Sequence, residues 1–265
     1  MSGPAVIYER RDNVVELTLN RPENRNSMTP EMLTAFGDAL DRLADERDVR
    51  VVVITGTGSS FCAGADFRSP LLEDIAEPDD HYPVYQPFLR VLEIEVPVIA
   101  AMSGHAVGGG FGLALVCDIR VAAEDARYGA NFVRLGLGPG MGISYLLPRL
   151  IGAPLALEYL LTGRLFDGTT GRRIGFANHA VQADLVLDTA RTIADDIAAA
   201  SPTAVVLTKR AVYRGLDMDT LDHARREAVE QAQTAQTSDF VEGVAALLEK
   251  REPVFDDVTR PLPEA

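Results

Sequence analysis

The chain has little cysteine and no long apolar segment. Its 265 residues include only Cys62 and Cys117, and no apolar run approaches the roughly 20 residues that a membrane-spanning helix needs. Its first residues, MSGPAVIYERRDN, contain no apolar signal segment. A chain of this length with 47% hydrophobic residues can bury a large core without disulfides. We therefore expect a cytoplasmic protein with two buried free thiols and no membrane association.

Basic residues are fewer than acidic ones, with 25 Lys and Arg against 39 Asp and Glu. The formal net charge of −14 repels a polyphosphate backbone, so we expect no nucleic-acid partner. Lysine occurs only at Lys209 and Lys250, so arginine must dominate any local patch that binds an anionic ligand. No linker rich in proline or serine divides the chain, which predicts one main domain with an appendage.

Strands and helices alternate along the first part of the chain. Residues 6–9 and 13–22 predict a hairpin, because apolar and polar residues alternate there. Thr29, followed by proline, predicts the N-cap of a helix that ends near Asp48. Two buried strands then run into glycine turns, in VRVVVITGTGSSFCAGAD and VPVIAAMSGHAVGGGFGLALVCDIRVAA. This alternation predicts an α/β fold.

The rest of the chain divides into a loop and two mostly helical parts. Residues 68–82 are acidic, contain proline and have little periodicity, which predicts a mobile surface loop or lid. Beyond residue 140 the pattern is mostly helical. From about residue 201 a stripe of small residues at helical spacing suits close helix–helix contact. We therefore expect a core over residues 1–200 and a helical region over 201–265 that packs against the core or a neighbouring subunit.

The two glycine turns, CAGAD (62–66) and HAVGGGFG (105–112), each follow a buried strand. Glycine lets the backbone approach a ligand closely, and the first N–H groups of a helix have no intrahelical acceptor. Two such groups aimed at one oxygen form an oxyanion hole, worth about 3 to 4 kcal/mol per donor. The glycines could instead serve only tight packing. A phosphate cradle is disfavoured, because the Gly-Lys-Ser/Thr ending of a P-loop is missing.

Six motifs in a fixed order carry a resemblance to a known family. They are NRPENRNSM (20–28), FCAGADF (61–67), GHAVGGGFGLALVCDIRVAAEDARYG (104–129), LPRLIG (147–152), LTGRLFDG (161–168) and SPTAVVLTKRAV (201–212). Together they cover nearly the whole chain, which resembles the enoyl-CoA hydratase/isomerase, or crotonase, family. The order and spacing of the motifs are specific for the family and not for one reaction.

The resemblance implies an α/β spiral of ββα repeats with a C-terminal helical trimerisation region, assembled as a homotrimer or a dimer of trimers. It implies an acyl-CoA or enoyl-CoA ligand, with coenzyme A as part of the substrate, no permanent cofactor and no metal. Carried over by position, the N–H groups of Ala65 and Gly109 bind the thioester oxygen. The coenzyme A side is assigned to Arg25, Asp66, Phe67, Arg68 and Lys209, where ordinary surface charge is the alternative for the basic residues. Asp66 is also expected to accept backbone N–H groups at its turn.

Two departures from the family pattern concern its catalytic glutamates. Hydratases of the family hold and deprotonate water with a pair of glutamates. The first is expected two residues after the triple glycine, where this chain has Gly112, and the second where it has Phe132. Another variant of the family carries an aspartate further along the loop of the second glutamate, and this chain has Gly140 at that position. Standard hydration is therefore not expected, and neither is ordinary double-bond migration that relies on the second glutamate.

Substitute acid–base groups could come from the segment after the first glycine turn. His81 and Tyr82 are the candidates, with Tyr85 nearby, and a solvated acidic lid is the alternative. His105 is expected to be a hydrogen-bonded core residue. The leading hypothesis is lyase or isomerase chemistry through an enolate. The alternatives are a non-catalytic acyl-CoA carrier or sensor, and an enoyl-CoA hydratase of fatty acid metabolism that uses substitute groups.

Overall fold

The computed structural model describes residues 3–66, 68 and 81–255, without the side chains of residues 81–83. The predicted lid therefore lies almost entirely outside the described residues. Within these ranges, no helix is long and apolar enough to cross a membrane. No group of three or more His, Cys, Asp or Glu residues in the same ranges could hold a metal ion.

The chain begins with a hairpin and a capped helix. Strands β1 (Val6–Arg11) and β2 (Val14–Leu19) pair antiparallel, as their alternation predicts. Helix α1 (Pro30–Asp45) follows, and the Thr29 hydroxyl accepts the Met32 N–H at 3.2 Å. One face of α1 is buried, through Met32, Leu33, Phe36, Ala39, Leu40 and Leu43. The predicted N-cap is confirmed, and the helix ends three residues before Asp48.

Three ββα repeats follow, and each adds one strand to each of two sheets. The repeats comprise β3 (Val51–Gly56), β4 (Ser60–Cys62) and α2 (His81–Leu89); β5 (Val98–Met102), β6 (His105–Val107) and α3 (Gly109–Val116); β7 (Ile119–Ala123), β8 (Tyr128–Gly129) and α4 (Ile143–Ile151). With β9 (His179–Val181), the larger sheet has the order β1-β2-β3-β5-β7-β9 and is parallel from β2 onward. The smaller sheet, β4-β6-β8, is parallel. The predicted α/β spiral of ββα repeats is confirmed.

The core fixes helix α3 at both of its ends. Every residue of α3 is buried, and Phe111 stacks on Phe176 with ring centroids 5.0 Å apart. The buried Arg120 guanidinium donates to the carbonyl oxygens of Phe176 at 2.6 Å and Cys117 at 2.5 Å. A guanidinium at the C-terminal end of a helix complements the helix dipole and satisfies carbonyls that lack intrahelical donors. The C-terminal end of α3 is thereby held in place.

The remaining helices complete the molecule. They are α5 (Ala153–Thr162), α6 (Gly168–Ile174), α7 (Val186–Ala198), α8 (Pro202–Gly215), α9 (Thr220–Thr234) and α10 (Ser238–Glu249). Helix α7 packs on the larger sheet against β3, β5 and β7. The predicted helical character after residue 201 is confirmed by α8, α9 and α10. The division at residue 200 stays a prediction.

Candidate active site

A buried asparagine fixes the approach to the first glycine turn. Asn26 has the left-handed φ of +54°, which asparagine tolerates better than most residues. Its amide donates to the carbonyl oxygens of Thr57 at 2.9 Å and Ser60 at 2.7 Å, and its Oδ1 accepts the Arg21 N–H at 2.8 Å. These bonds hold residues 21–26 against the connection between β3 and β4.

The first glycine turn runs beside the segment that follows Asn26. The Ala63 N–H donates to the Arg25 oxygen at 3.0 Å, and the Met28 N–H donates to the Gly64 oxygen at 2.8 Å. Met28 and Ala65 form an isolated parallel bridge. In this pairing the N–H of Ala65 points away from Met28. It donates to no acceptor among the described residues.

The second glycine turn opens helix α3. Gly108 has a φ of +56° and its N–H donates to the Gly129 oxygen at 3.0 Å. Gly109 is the first helical residue, so its N–H has no intrahelical acceptor, and none is found in the described part of the chain. Gly110 is glycine because a β-carbon there would lie 2.0 Å from the Cys62 oxygen. Gly108 therefore serves the turn geometry and Gly110 the strand–helix packing, while Gly109 presents a backbone N–H without an acceptor in the described part of the chain.

The two turns touch each other. A β-carbon added to Gly64 would lie 2.7 Å from the Val107 oxygen and 3.1 Å from the Gly109 nitrogen. A β-carbon added to Gly109 would lie 2.3 Å from the Met28 sulfur. Ala65 immediately follows Gly64, so its unpaired N–H and that of Gly109 belong to adjacent backbones. Unpaired backbone donors at a helix N-terminus favour a ligand oxygen that carries negative charge.

Apolar groups surround the positions where carboxylates were expected. A β-carbon on Gly112 would lie 2.5 Å from the β-carbon of Met141. The half-buried Phe132 ring lies 3.7 Å from the position of a β-carbon on Gly108. The apolar Phe132 side chain therefore stands directly beside the N-terminus of α3.

Comparisons with known proteins show the family of the chain. The family profile described as enoyl-CoA hydratase/isomerase matches residues 9–258. A probable enoyl-CoA hydratase of Mycobacterium bovis is 38% identical over 271 residues, covering 96% of this chain and 93% of that protein. The crystal structure of an enoyl-CoA hydratase from Bacillus anthracis has a TM-score of 0.88 and 33% identity, covering 95% of this chain and 98% of that one. The chain belongs to the enoyl-CoA hydratase/isomerase family.

A mammalian relative extends the comparison. The mitochondrial enoyl-CoA hydratase domain-containing protein 2 of Bos taurus is 38% identical over 252 residues, covering 91% of this chain and 84% of that protein. Membership of this crotonase family implies that the chain binds an acyl-CoA thioester. The family acts on such substrates without a permanent cofactor.

Some of the residues predicted to bind coenzyme A lie beside the first glycine turn. Asp66 accepts the Arg68 N–H at 3.0 Å, as its expected turn role requires. Arg25 is exposed next to this turn, and the Arg68 side chain is 85% exposed. Both guanidinium groups are therefore accessible to a ligand. The Phe67 prediction lies outside the described residues, as do the His81 and Tyr82 side chains.

Lys209 has internal partners in this structure. Its ammonium group lies 2.8 Å from the Asp118 carboxylate and donates to the carbonyl oxygens of Ile94 at 2.8 Å and Val96 at 3.0 Å. These three acceptors match the three donors of an ammonium group. To hold a phosphate, Lys209 would have to give up at least one of them.

One expectation about a histidine is wrong in part. His105 is exposed on β6, whereas a core position was expected. The predicted hydrogen bond is confirmed, because Nδ1 of His105 accepts the Arg127 N–H at 2.9 Å. The strand is only three residues long and its pattern alternates, so His105 faces outward while Ala106 is buried.

Tyr85 lies close to His81 and Tyr82 in sequence, and unlike theirs its side chain is described. Its ring packs against the backbone of Gly140, where an added β-carbon would lie 2.8 Å from the hydroxyl oxygen. Burial raises the pKa of Tyr85. Gly140 precedes Met141, so the hydroxyl lies next to the loop that covers Gly112. No sequence pattern favours Tyr85, because the contact is made between segments more than 50 residues apart.

Proposed function

We propose that the chain binds an acyl-CoA or enoyl-CoA thioester with its carbonyl oxygen between the N–H groups of Ala65 and Gly109. The observation that carries this proposal is the contact between the two glycine turns, each of which presents a backbone donor without a partner in the described chain. When a substitute base such as His81 takes a proton from the carbon next to the thioester, the electron pair of the broken C–H bond moves toward the carbonyl and charge builds on the oxygen. Two fixed donors stabilise that enolate more than the neutral thioester.

The chemistry proposed is enolate chemistry of the lyase or isomerase type, not standard hydration. A positioned acid or base contributes roughly 10²- to 10⁴-fold to a rate. Gly112 and Phe132 supply neither, so hydration should be slow even with the oxyanion hole intact. The groups that take and return the proton would come from His81, Tyr82 and Tyr85, and Tyr85 is favoured as the acid by its position against Gly140.

Coenzyme A recognition is assigned to the exposed edge of the first turn. Arg25 and Arg68 would hold phosphates, Asp66 would order the turn, and Phe67 would contact the pantetheine or adenosine portion. Lys209 would contribute less to phosphate binding than the two arginines, because its ammonium group already has three acceptors. Coenzyme A would enter and leave with the substrate.

We also propose a homotrimer, alone or stacked as a dimer of trimers, formed through residues 201–265. Helix α9 has no buried residue, and α10 exposes Val241, Leu247 and Leu248. Clustered apolar side chains on consecutive helices favour burial against another chain.

The function is tested by binding and turnover measured on the same protein. Calorimetric titration with saturated and unsaturated acyl-CoAs should show binding. Proton exchange at the carbon next to the thioester should appear by NMR in deuterated buffer, while the enoyl thioester absorbance should decline slowly. Hydration at ordinary enzyme rates, about 1 to 10³ per second, would contradict the roles given to Gly112 and Phe132.

The same experiment separates the main alternative. A carrier or sensor would bind acyl-CoA thioesters and show neither proton exchange nor hydration. This alternative is favoured by the apolar groups at both expected carboxylate positions. Failure of any CoA thioester to bind would contradict both proposals.

A further inference from the structure

The space in front of Gly112 is filled by Met141. A β-carbon built on Gly112 would lie 2.5 Å from Cβ, 3.0 Å from Cγ and 3.2 Å from Cε of Met141. Carbon atoms that are not bonded to each other rest about 3.5 to 4.0 Å apart. Because the closest contact involves the β-carbon of Met141, no change of its side-chain rotamer can relieve it.

The backbone holds Met141 in a conformation that favours glycine. Its φ is +58°, and the following residue, Gly142, has a φ of +66°. A left-handed conformation costs an L-residue about 1 to 2 kcal/mol. Met141 is nevertheless only 2% exposed, so its side chain is packed inside the protein. A strained residue persists where surrounding contacts determine its position.

Gly112 lies on the same face of α3 as Gly109, one turn further along, because residues three apart on a helix are neighbours. A group filling the space over Gly112 therefore stands within one helical turn of the proposed Gly109 donor. We propose that Met141 is a specificity-determining residue that excludes water and any carboxylate from this side of the thioester. The inference rests on the proposed function for the identity of the ligand, and it deepens that function. The substrate class is then a thioester whose conversion needs no added water.

A stability measurement tests the packing part of this proposal without any ligand. Four proteins are compared by urea unfolding: the wild type, Gly112→Ala, Met141→Gly and the double variant. Gly112→Ala should lower the folded-to-unfolded ratio by about tenfold or more in the wild type and by much less in the Met141→Gly background. An equal loss in both backgrounds would overturn the proposal. Gly138→Ala is the matched control, since nothing lies within 4 Å of its added β-carbon.

A turnover measurement tests the exclusion of water. The double variant Gly112→Glu/Phe132→Glu is compared with the triple variant that also carries Met141→Gly, using enoyl-CoA absorbance. The triple variant should hydrate at least about tenfold faster, because removing the methionine side chain admits both the carboxylate and the water it activates. Equal rates in the two variants would overturn the proposal. Absence of thioester binding to the wild type would instead contradict the proposed function, while the urea experiment would still test Met141.

Discussion

Gly64 and Gly109 contact each other through their backbones, and a β-carbon on Gly64 would lie 3.1 Å from the Gly109 nitrogen. The two turns come from different ββα repeats, at the ends of β4 and β6, which are neighbours in the smaller sheet. The parallel pairing of these short strands therefore brings the two candidate donors together.

The first prediction ranks three glycine substitutions. Gly64→Ala should cost about 2 to 4 kcal/mol of unfolding free energy, because φ is +84° and the new carbon meets the backbone of Val107 and Gly109. Gly109→Ala should cost about 1 to 3 kcal/mol, since its carbon meets the movable end of Met28. Gly138→Ala should change little. Urea unfolding measures all three, and a cost at Gly109 above that at Gly64 would contradict the ranking.

The sequence predicted the local elements around the candidate site, and it did not predict the contacts between distant segments. The glycine turns, the capped helix α1 and the alternation of strands and helices are local patterns, so each could be inferred from neighbouring residues, whereas the ββα repeats were implied by the family resemblance. Met141 and Tyr85 could not be, because their roles depend on contacts with Gly112 and Gly140 that join distant segments. The three acceptors of Lys209 were missed for the same reason.

The second prediction concerns Tyr85. Tyr85→Phe removes only the hydroxyl, so stability should be nearly unchanged while proton exchange next to the thioester falls by about 10²-fold or more. As an acid Tyr85 acts in its protonated form, and burial raises the pKa of its phenol above the usual value of about 10, so ionisation of Tyr85 should not lower the rate at neutral or mildly alkaline pH. Tyr145→Phe, at an exposed tyrosine, is the control. An unchanged exchange rate in Tyr85→Phe would remove Tyr85 from the reaction.

The third prediction separates ligand-binding cations from structural ones. Arg25→Ala and Arg68→Ala should weaken coenzyme A binding, with a smaller effect at high salt, and leave stability unchanged. Lys209→Met should lower stability by about 1 to 3 kcal/mol, because two carbonyl oxygens lose a donor and the Asp118 carboxylate loses its cationic partner. Calorimetry and urea unfolding measure both effects, with Arg47→Ala, an exposed arginine, as control. Loss of affinity in Lys209→Met equal to that in Arg25→Ala would assign Lys209 to the ligand.

The fourth prediction concerns the two thiols. Cys62 and Cys117 are free and buried, and burial raises the pKa of each to about 12. Neither should react with a disulfide reagent at pH 8 in the native protein, whereas both should react after denaturation. The stability linked to these protonated thiols is complete below about pH 9 and is lost as the pH rises toward 12. Rapid labelling of the native protein would contradict this burial.

The fifth prediction tests the assembly proposed for residues 201–265. Leu248 on α10 is 77% exposed, and burying a leucine at an interface contributes about 1.5 to 3 kcal/mol. Leu248→Glu replaces that gain with the cost of desolvating a carboxylate, so the trimer should dissociate, as light scattering after size-exclusion chromatography would show. Leu161→Glu is the matched control, because Leu161 is 70% exposed on α5, outside the C-terminal region. If Leu161→Glu dissociates the assembly and Leu248→Glu does not, the interface lies on the core and the role given to residues 201–265 is wrong.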